Sequence, residues 1–167
     1  MFHEKEITSL SINPFIKIGE EWMLITAGNA EKCNTMTASW GGLGVLWGKN
    51  VSFIFIRESR YTLEFLEAGE YYSLSFFAPG DRAALNYCGS HSGRDGDKLK
   101  PAGLTPVYTE NAPYFEQAQT AFICRKLFEQ KLEPSNFTDS SLEGKNYPQG
   151  DYHRMFVGEI VKVLEKD

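Results

Sequence analysis

One stretch constrains this chain more than any other, Cys33 to Thr62: CNTMTASWGGLGVLWGKNVSFIFIRESRYT. Its first part, Asn34 to Gly41, is small and hydroxyl-rich and closes on Trp40 and a glycine pair. Its second, Val51 to Ile56, is a continuous β-branched and aromatic run that reads as a strand. Its third, Arg57-Glu58-Ser59-Arg60-Tyr61-Thr62, sets two arginines three residues apart with hydroxyls between and after them. Two strands joined by a Gly-rich loop, with Arg57 and Arg60 as solvated charges, account for this pattern. So does a site for a flat heteroaromatic ring with a phosphate tail. Such a ligand needs close backbone approach at one end and arginine with hydroxyls at the other. Spacing alone leaves both readings open.

The rest of the chain predicts short strands separated by turns. Residues 1–13 are polar and read as a loosely held lead-in. Asn13-Pro14 predicts a helix entry. Trp22 to Ala27 is a first strand stopped by Gly28-Asn29, and Asn34 to Ser39 a second with its hydroxyls on one face. Gly41 to Gly44 is expected to break regular structure. Residues 61–68 predict a short helix with Thr62 as N-cap, and Gly69 ends it. Tyr72 to Phe77 alternates as a strand. Asp81 predicts the N-cap of a helix over 82–88, stopped by Gly89. Residues 89–103 are loop-rich, with one helical turn near Asp97 to Lys100. Thr105 to Tyr108, Ala118 to Phe128 and Met155 to Leu164 are further candidate strands. The pattern over 118–128 admits helix as well. Residues 129–150 read as a long polar excursion. Several short strands and few helices indicate an antiparallel barrel or sandwich.

With 167 residues the chain is expected to form one domain over 1–167. A net charge of −5 without a basic cluster argues against nucleic acid as a partner. No apolar run reaches the roughly 18 residues of a membrane span. The start, Met1 to Glu6, lacks the layout of a secretory signal. Cys33, Cys88 and Cys124 are odd in number and form no C-x-x-C pair, so a cytoplasmic setting is expected.

The ordered set N-T-M-T-A-S-W-G, G-x-L-W and R-x-x-R-Y-T resembles the flavin reductase-like family of FMN-binding split barrels, which includes flavoredoxin and short-chain flavin reductases. The match continues through Cys88-Gly89, Ser92-Gly93-Arg94-Asp95, Asp97-Lys98 and Gly103 to Pro106, and ends in Asp151-Tyr152-His153 and Gly158-Glu159-Ile160. No single motif is specific; the ordered set is. The resemblance implies a mainly β, FMN-binding split β-barrel of antiparallel, Greek-key type with a few short helices. It implies a homodimeric oxidoreductase that takes hydride from NADH or NADPH onto FMN. Reduced flavin would then serve a small-molecule or protein electron acceptor. The alternative is a flavoredoxin-like FMN electron carrier without NAD(P)H activity of its own.

The same resemblance assigns the isoalloxazine ring to Asn34, Met36, Thr37, Ala38, Ser39 and Trp40, although Met36 and Ala38 suit core packing equally. It assigns the phosphate to Arg57, Ser59, Arg60, Tyr61 and Thr62. Guanidinium forks beside a helix start make a sound anion site. In the loop 92–98, which carries Ser92, the glycines Gly93 and Gly96 allow close backbone approach, and Lys98 reads equally as completing the phosphate cage or as a charge of a surface loop. Arg94 reads better as a surface charge. His153 is the one candidate for a catalytic role, although a lone histidine before a terminal strand is more often a surface or satisfied side chain. The family motif there is G-D-H, and Tyr152 shifts the spacing by one residue. No metal ligand spacing, phosphate-binding P-loop, dinucleotide fingerprint or nucleophile elbow is present. Cys33 reads as an inert thiol.

Overall fold

A computed structural model describes residues 1–109 and 111–167. Its frame is β2 (Met23–Gly28), buried from Met23 to Ala27 and paired antiparallel with β3 (Cys33–Ala38) and β6 (Tyr71–Phe76). Met23, Ile25 and Ala27 join one apolar cluster with Met36, Ile54, Leu66, Phe122 and Phe156. Leu24 joins another with Leu85, Cys88 and Phe115. Both faces of β2 are dry, so its sequence is an apolar run rather than an alternation. Its one hydroxyl, Thr26, meets the facing Thr35 hydroxyl at 2.8 Å, and neither is left unsatisfied.

The sheet continues from β6 through β9 (Thr120–Lys131), β10 (His153–Lys166) and β5 (Lys49–Arg57) to β4 (Gly41–Leu46), antiparallel throughout. Short helices decorate it: α1 (Pro14–Gly19), α2 (Thr62–Ala68), α3 (Arg82–Ser90) and α4 (Ser140–Asn146). A small ladder joins β7 (Pro106–Val107) to β8 (Tyr114–Phe115). Among the described residues no helix is long and apolar enough to cross a membrane.

Several local expectations change. The lead-in is not loose: β1 (Phe2–Lys5) pairs with the C-terminal half of β10, Phe2 facing Lys166 and Lys5 facing Val163. The cause lies in β10, which outruns β5. The β5 pairing covers only His153 to Glu159, and the remaining backbone groups need a partner. Gly41 to Gly44 does not break the chain but lies in β4, opposite Val51 to Ile54. The hairpin turns instead at Trp47-Gly48, both at positive φ, as a two-residue turn of the I′ class requires. Gly89 does not stop α3, which runs on to Ser90. The excursion expected over 129–150 is shorter, because β9 extends to Lys131 and α4 occupies 140–146.

Candidate functional site

The site begins with how β3 is used. Its two faces differ: Met36 and Ala38 enter the main core, while Thr37 turns toward α3 and donates its hydroxyl to the Leu85 carbonyl at 2.5 Å. Gly89 permits that seating, since a Cβ there would lie 3.3 Å from the Thr37 Cβ. The β3 hydroxyl therefore serves to dock a helix. Between α3, the end of β3 and the start of β10, a cleft of about 280 Å³ opens, lined by Thr37, Ser39, Trp40, Phe55 and His153 among others. A second cleft of about 240 Å³ is lined by Asn34, Ser59, Tyr61, Thr62, Ser92, Gly93 and Lys98. Met36, Arg60 and Gly89 line both, so the two adjoin.

The structure brings all the sequence-derived site residues to one cleft or the other. Met36, Thr37, Ala38, Ser39, Trp40, Arg57, Arg60 and His153 line the first; Asn34, Met36, Ser59, Arg60, Tyr61, Thr62, Ser92, Gly93 and Lys98 line the second. Trp22, Phe55, Gly89, Ser90 and His91 line them too and were not singled out from the sequence. Gly89 stood inside a quoted motif, but Trp22 and Phe55 gave no local signal. Their part depends on which strand ends the fold brings together.

The two arginines part company. Arg60 lies between the clefts, with its one side-chain bond a long 3.4 Å contact to the Gly89 carbonyl. Arg57 is committed: it donates to the carbonyls of Asn146 at 3.0 Å and Asp151 at 2.8 Å, and its guanidinium lies 4.9 Å over the Tyr147 ring. It pins the segment after α4 against the first cleft. Ser59 is also engaged, its hydroxyl and amide both held by Asp151. Thr62 is not the N-cap of α2; Tyr61 holds that position. The Thr62 hydroxyl is buried and accepts from Asn34 Nδ2 at 2.8 Å, tying β3 to α2. The helix start offers less to an anion than its sequence suggested, because the Leu63 and Glu64 amides already bond to the Arg60 and Tyr61 carbonyls. Arg94 braces the rim, paired with Glu64 and stacked 4.8 Å from Tyr61.

Lys98 is buried in the second cleft. Its ammonium donates to the carbonyls of Cys88 at 3.1 Å and His91 at 3.0 Å. Burial, with a smaller push from Arg60, lowers its pKa to about 8. Burial and then the nearby Arg57 also lower that of Arg60. Among the described residues, neither Arg60 nor Lys98 forms an ion pair. Lys98 is withdrawn from water with carbonyls on its ammonium, and the Asp151 carboxylate offsets only part of the burial of Arg60, so an anion seated between the two is favoured. Gly93 adds a steric condition: a Cβ there would lie 2.0 Å from Asn34 Oδ1. The loop lies so close to β3 that only glycine fits. This chemistry suits a phosphate in the second cleft and a flat ring in the first.

His153 is buried opposite Arg57 at the start of β10. Its Nδ1 lies 2.6 Å from the Tyr147 hydroxyl, and its ring is 5.4 Å from Trp40. Burial, then Arg57, lowers its pKa to about 4, so it is neutral near pH 7. Cys33 lines neither cleft; burial raises its thiol pKa, and its Sγ is 3.9 Å from the Tyr108 hydroxyl. Among the described residues, no cluster of His, Cys, Asp and Glu is arranged to hold a metal.

The sequence profile of the flavin reductase-like domain matches residues 17–167. No curated protein matches the chain. Among solved structures, the chain is similar to a flavoredoxin from Methanosarcina acetivorans, at 23% identity and a TM-score of 0.68 over 88% of this chain and 69% of that one. It is similar to the FMN-binding domain of a flavin reductases-like enzyme from Shewanella baltica, at 15% identity and a TM-score of 0.71 over 99% and 77%. It is also similar to an NADH:FAD oxidoreductase from Streptomyces globisporus crystallised with NAD and FAD fragments, at 19% identity and a TM-score of 0.64 over 87% and 75%. At these identities the likeness establishes the fold, an antiparallel split barrel with a few short helices.

Proposed function

The chain belongs to the flavin reductase-like family, and we propose that it is an FMN-binding oxidoreductase that takes hydride from NADH or NADPH. One observation carries this reading. A cleft with two cations that form no ion pair among the described residues, half-buried Arg60 and buried Lys98, adjoins a cleft walled by aromatic side chains and the end of β3. Phosphate fits the first environment and an isoalloxazine ring the second. When bound, FMN supplies the hydride and single-electron chemistry that no side chain here provides.

The chain's own residues bind and orient. Arg60 and Lys98 would hold the phosphate, and Gly93 lets the loop lie against β3 beside it. The backbone from Met36 to Trp40 would offer short groups to the polar edge of the ring, which pair without the entropy loss of long side chains. His153 is a neutral imidazole fixed by Tyr147, so it shapes the ring cleft and is no imidazolium acid near pH 7. Arg57 keeps the segment 146–151 in place beside it. The active form is a homodimer, and the acceptor of the reducing equivalents is a small molecule or a protein.

The test is the visible spectrum of the purified protein with FMN, followed anaerobically through additions of NADH and NADPH. Bleaching by either nucleotide supports the reductase and names its donor. A bound flavin reduced only by dithionite supports the second reading, an FMN electron carrier, which the fold-level likeness to a flavoredoxin also favours. Failure to bind FMN overturns both.

A further inference from the structure

Trp22 lines the ring cleft but has no part in the reading above. It stands at φ 71°, and the other non-glycine residue at positive φ among those described is Trp47, in the hairpin turn. Trp22 lies outside any hairpin, between α1 and β2. Trp22 lies two residues beyond the α1 C-cap Glu20, past the position where a left-handed glycine commonly ends a helix, so helix capping does not account for its conformation, and an L side chain is strained there. This chain keeps an indole in that place, and strain of this kind tends to persist where the surroundings hold a functional group in position.

The holding group is Arg82. Its guanidinium carbon lies 3.5 Å from the Trp22 ring centroid. The same guanidinium donates to the Glu20 carbonyl at 2.9 Å and the Glu21 carbonyl at 3.0 Å. One side chain thus grips three consecutive residues. Arg82 does not itself line the ring cleft. It is the first residue of α3, where a cation meets the positive end of the helix dipole, so helix stability does not account for it. Trp22 also stands apart from the other aromatic wall, where His153 packs with Trp40 and Phe55.

We propose that Trp22 is a ring-contacting wall of the flavin cleft and that Arg82 is its positioning residue, fixing the indole in the left-handed conformation from outside the cleft. This rests on the flavin reading. It adds a contact, on the α3 side of the cleft, that the motif resemblance does not assign.

Riboflavin, which carries the ring without the phosphate, and FMN are the two probes. Their dissociation constants are read by quenching of flavin fluorescence for wild type, Trp22→Ala and Arg82→Lys. Thermal midpoints of the flavin-free proteins are measured alongside. Arg82→Lys keeps the charge but loses the two-pronged grip on the carbonyls. Both variants are expected to weaken riboflavin and FMN by the same factor, about tenfold, because a stacked ring contact is lost and the phosphate contacts are kept. A structural role alone would lower the thermal midpoint and leave both affinities within about twofold of wild type; in Trp22→Ala that result overturns the proposal. Normal affinities in Arg82→Lys, with Trp22→Ala weakened, overturn the role of Arg82. Should Trp22→Ala not fold, Trp22→Leu keeps bulk without a π face and is read in the same way. Wild-type protein that binds neither probe overturns the flavin reading itself, an outcome distinct from the others.

Discussion

Lys98 is 5% exposed, and its ammonium has carbonyls as its bonding partners. With its pKa at about 8 in the free protein, it starts to lose its proton only slightly above neutrality. A phosphate seated against it favours the charged form and raises that pKa, so at alkaline pH binding takes up a proton. FMN affinity is therefore expected to fall as pH rises from about 8 toward about 9.5. Lys98→Met should abolish this slope and weaken FMN by about tenfold to a hundredfold near neutral pH, with riboflavin unaffected. A wild-type dissociation constant that is flat across that range removes Lys98 from the phosphate site. His153 gives the opposite pH window. Its folded pKa of about 4 lies below the ordinary 6.5, so between the two the unfolded chain binds more protons and stability falls as pH falls. The loss is at most about 3 kcal/mol. Urea midpoints at neutral and at acid pH should therefore differ more for wild type than for His153→Gln. Equal differences would mean that the imidazole is not held neutral by burial.

At the scale of elements, two glycines with similar crowding have different consequences. Gly158 sits at a register shift in β10, and a Cβ there would fall 2.2 Å from the hydroxyl of Tyr72. Tyr72 is fully buried and bonded to the Ser52 hydroxyl at 2.7 Å, so it has nowhere to move. Gly158→Ala should cost about 2–3 kcal/mol of stability, read from urea unfolding, with flavin affinity of the folded fraction unchanged. Gly93→Ala pushes only a surface loop off Asn34, so it should weaken FMN by about fivefold to a hundredfold with little loss of stability. If the two variants exchanged these outcomes, the assignment of Gly158 to the fold and Gly93 to the site would fall. The same contrast explains what was legible in the sequence. Strands β2, β3, β5, β6 and β10 declared themselves as apolar or alternating runs between turn residues, whereas the pattern of β9 admitted helix as well; the segments proposed for phosphate and ring could be singled out because each is contiguous. β1 was not, because Phe2-His3-Glu4-Lys5 has no strand pattern and forms only where β10 leaves its edge unpaired. β4 was hidden because its glycines, which suggest a break, lie in the ladder opposite Val51 to Ile54. The true employment of Arg57 was hidden because its partners return from about ninety residues downstream, at Asn146 and Asp151.

At the scale of the whole molecule, the sheet presents an apolar surface next to the ring cleft. Register places Phe53 and Phe128 on either side of the buried Val157 in one row across β5, β10 and β9, and Phe55, Met155 and Gln130 in the next, so each row shares a face. Trp47 is 58% exposed and Phe128 42%, their ring centroids 6.0 Å apart. A groove of about 280 Å³ lined by Phe55, Leu132, Phe137 and Met155 extends this surface. Phe55 also lines the ring cleft, so a second copy seated on the face would abut the flavin site and help exclude water from it. A self-complementary contact of this kind closes as a two-fold dimer. The expected outcome is a dimer by sedimentation at micromolar concentration and a monomer for Phe128→Glu, which places a charge in the apolar row. If the cleft is completed by the partner, the same variant also binds FMN more weakly, and raising its concentration until it dimerises restores affinity. A wild-type protein that sediments as a monomer while holding FMN tightly would show that one chain builds the whole site, and the apolar face would then need another occupant.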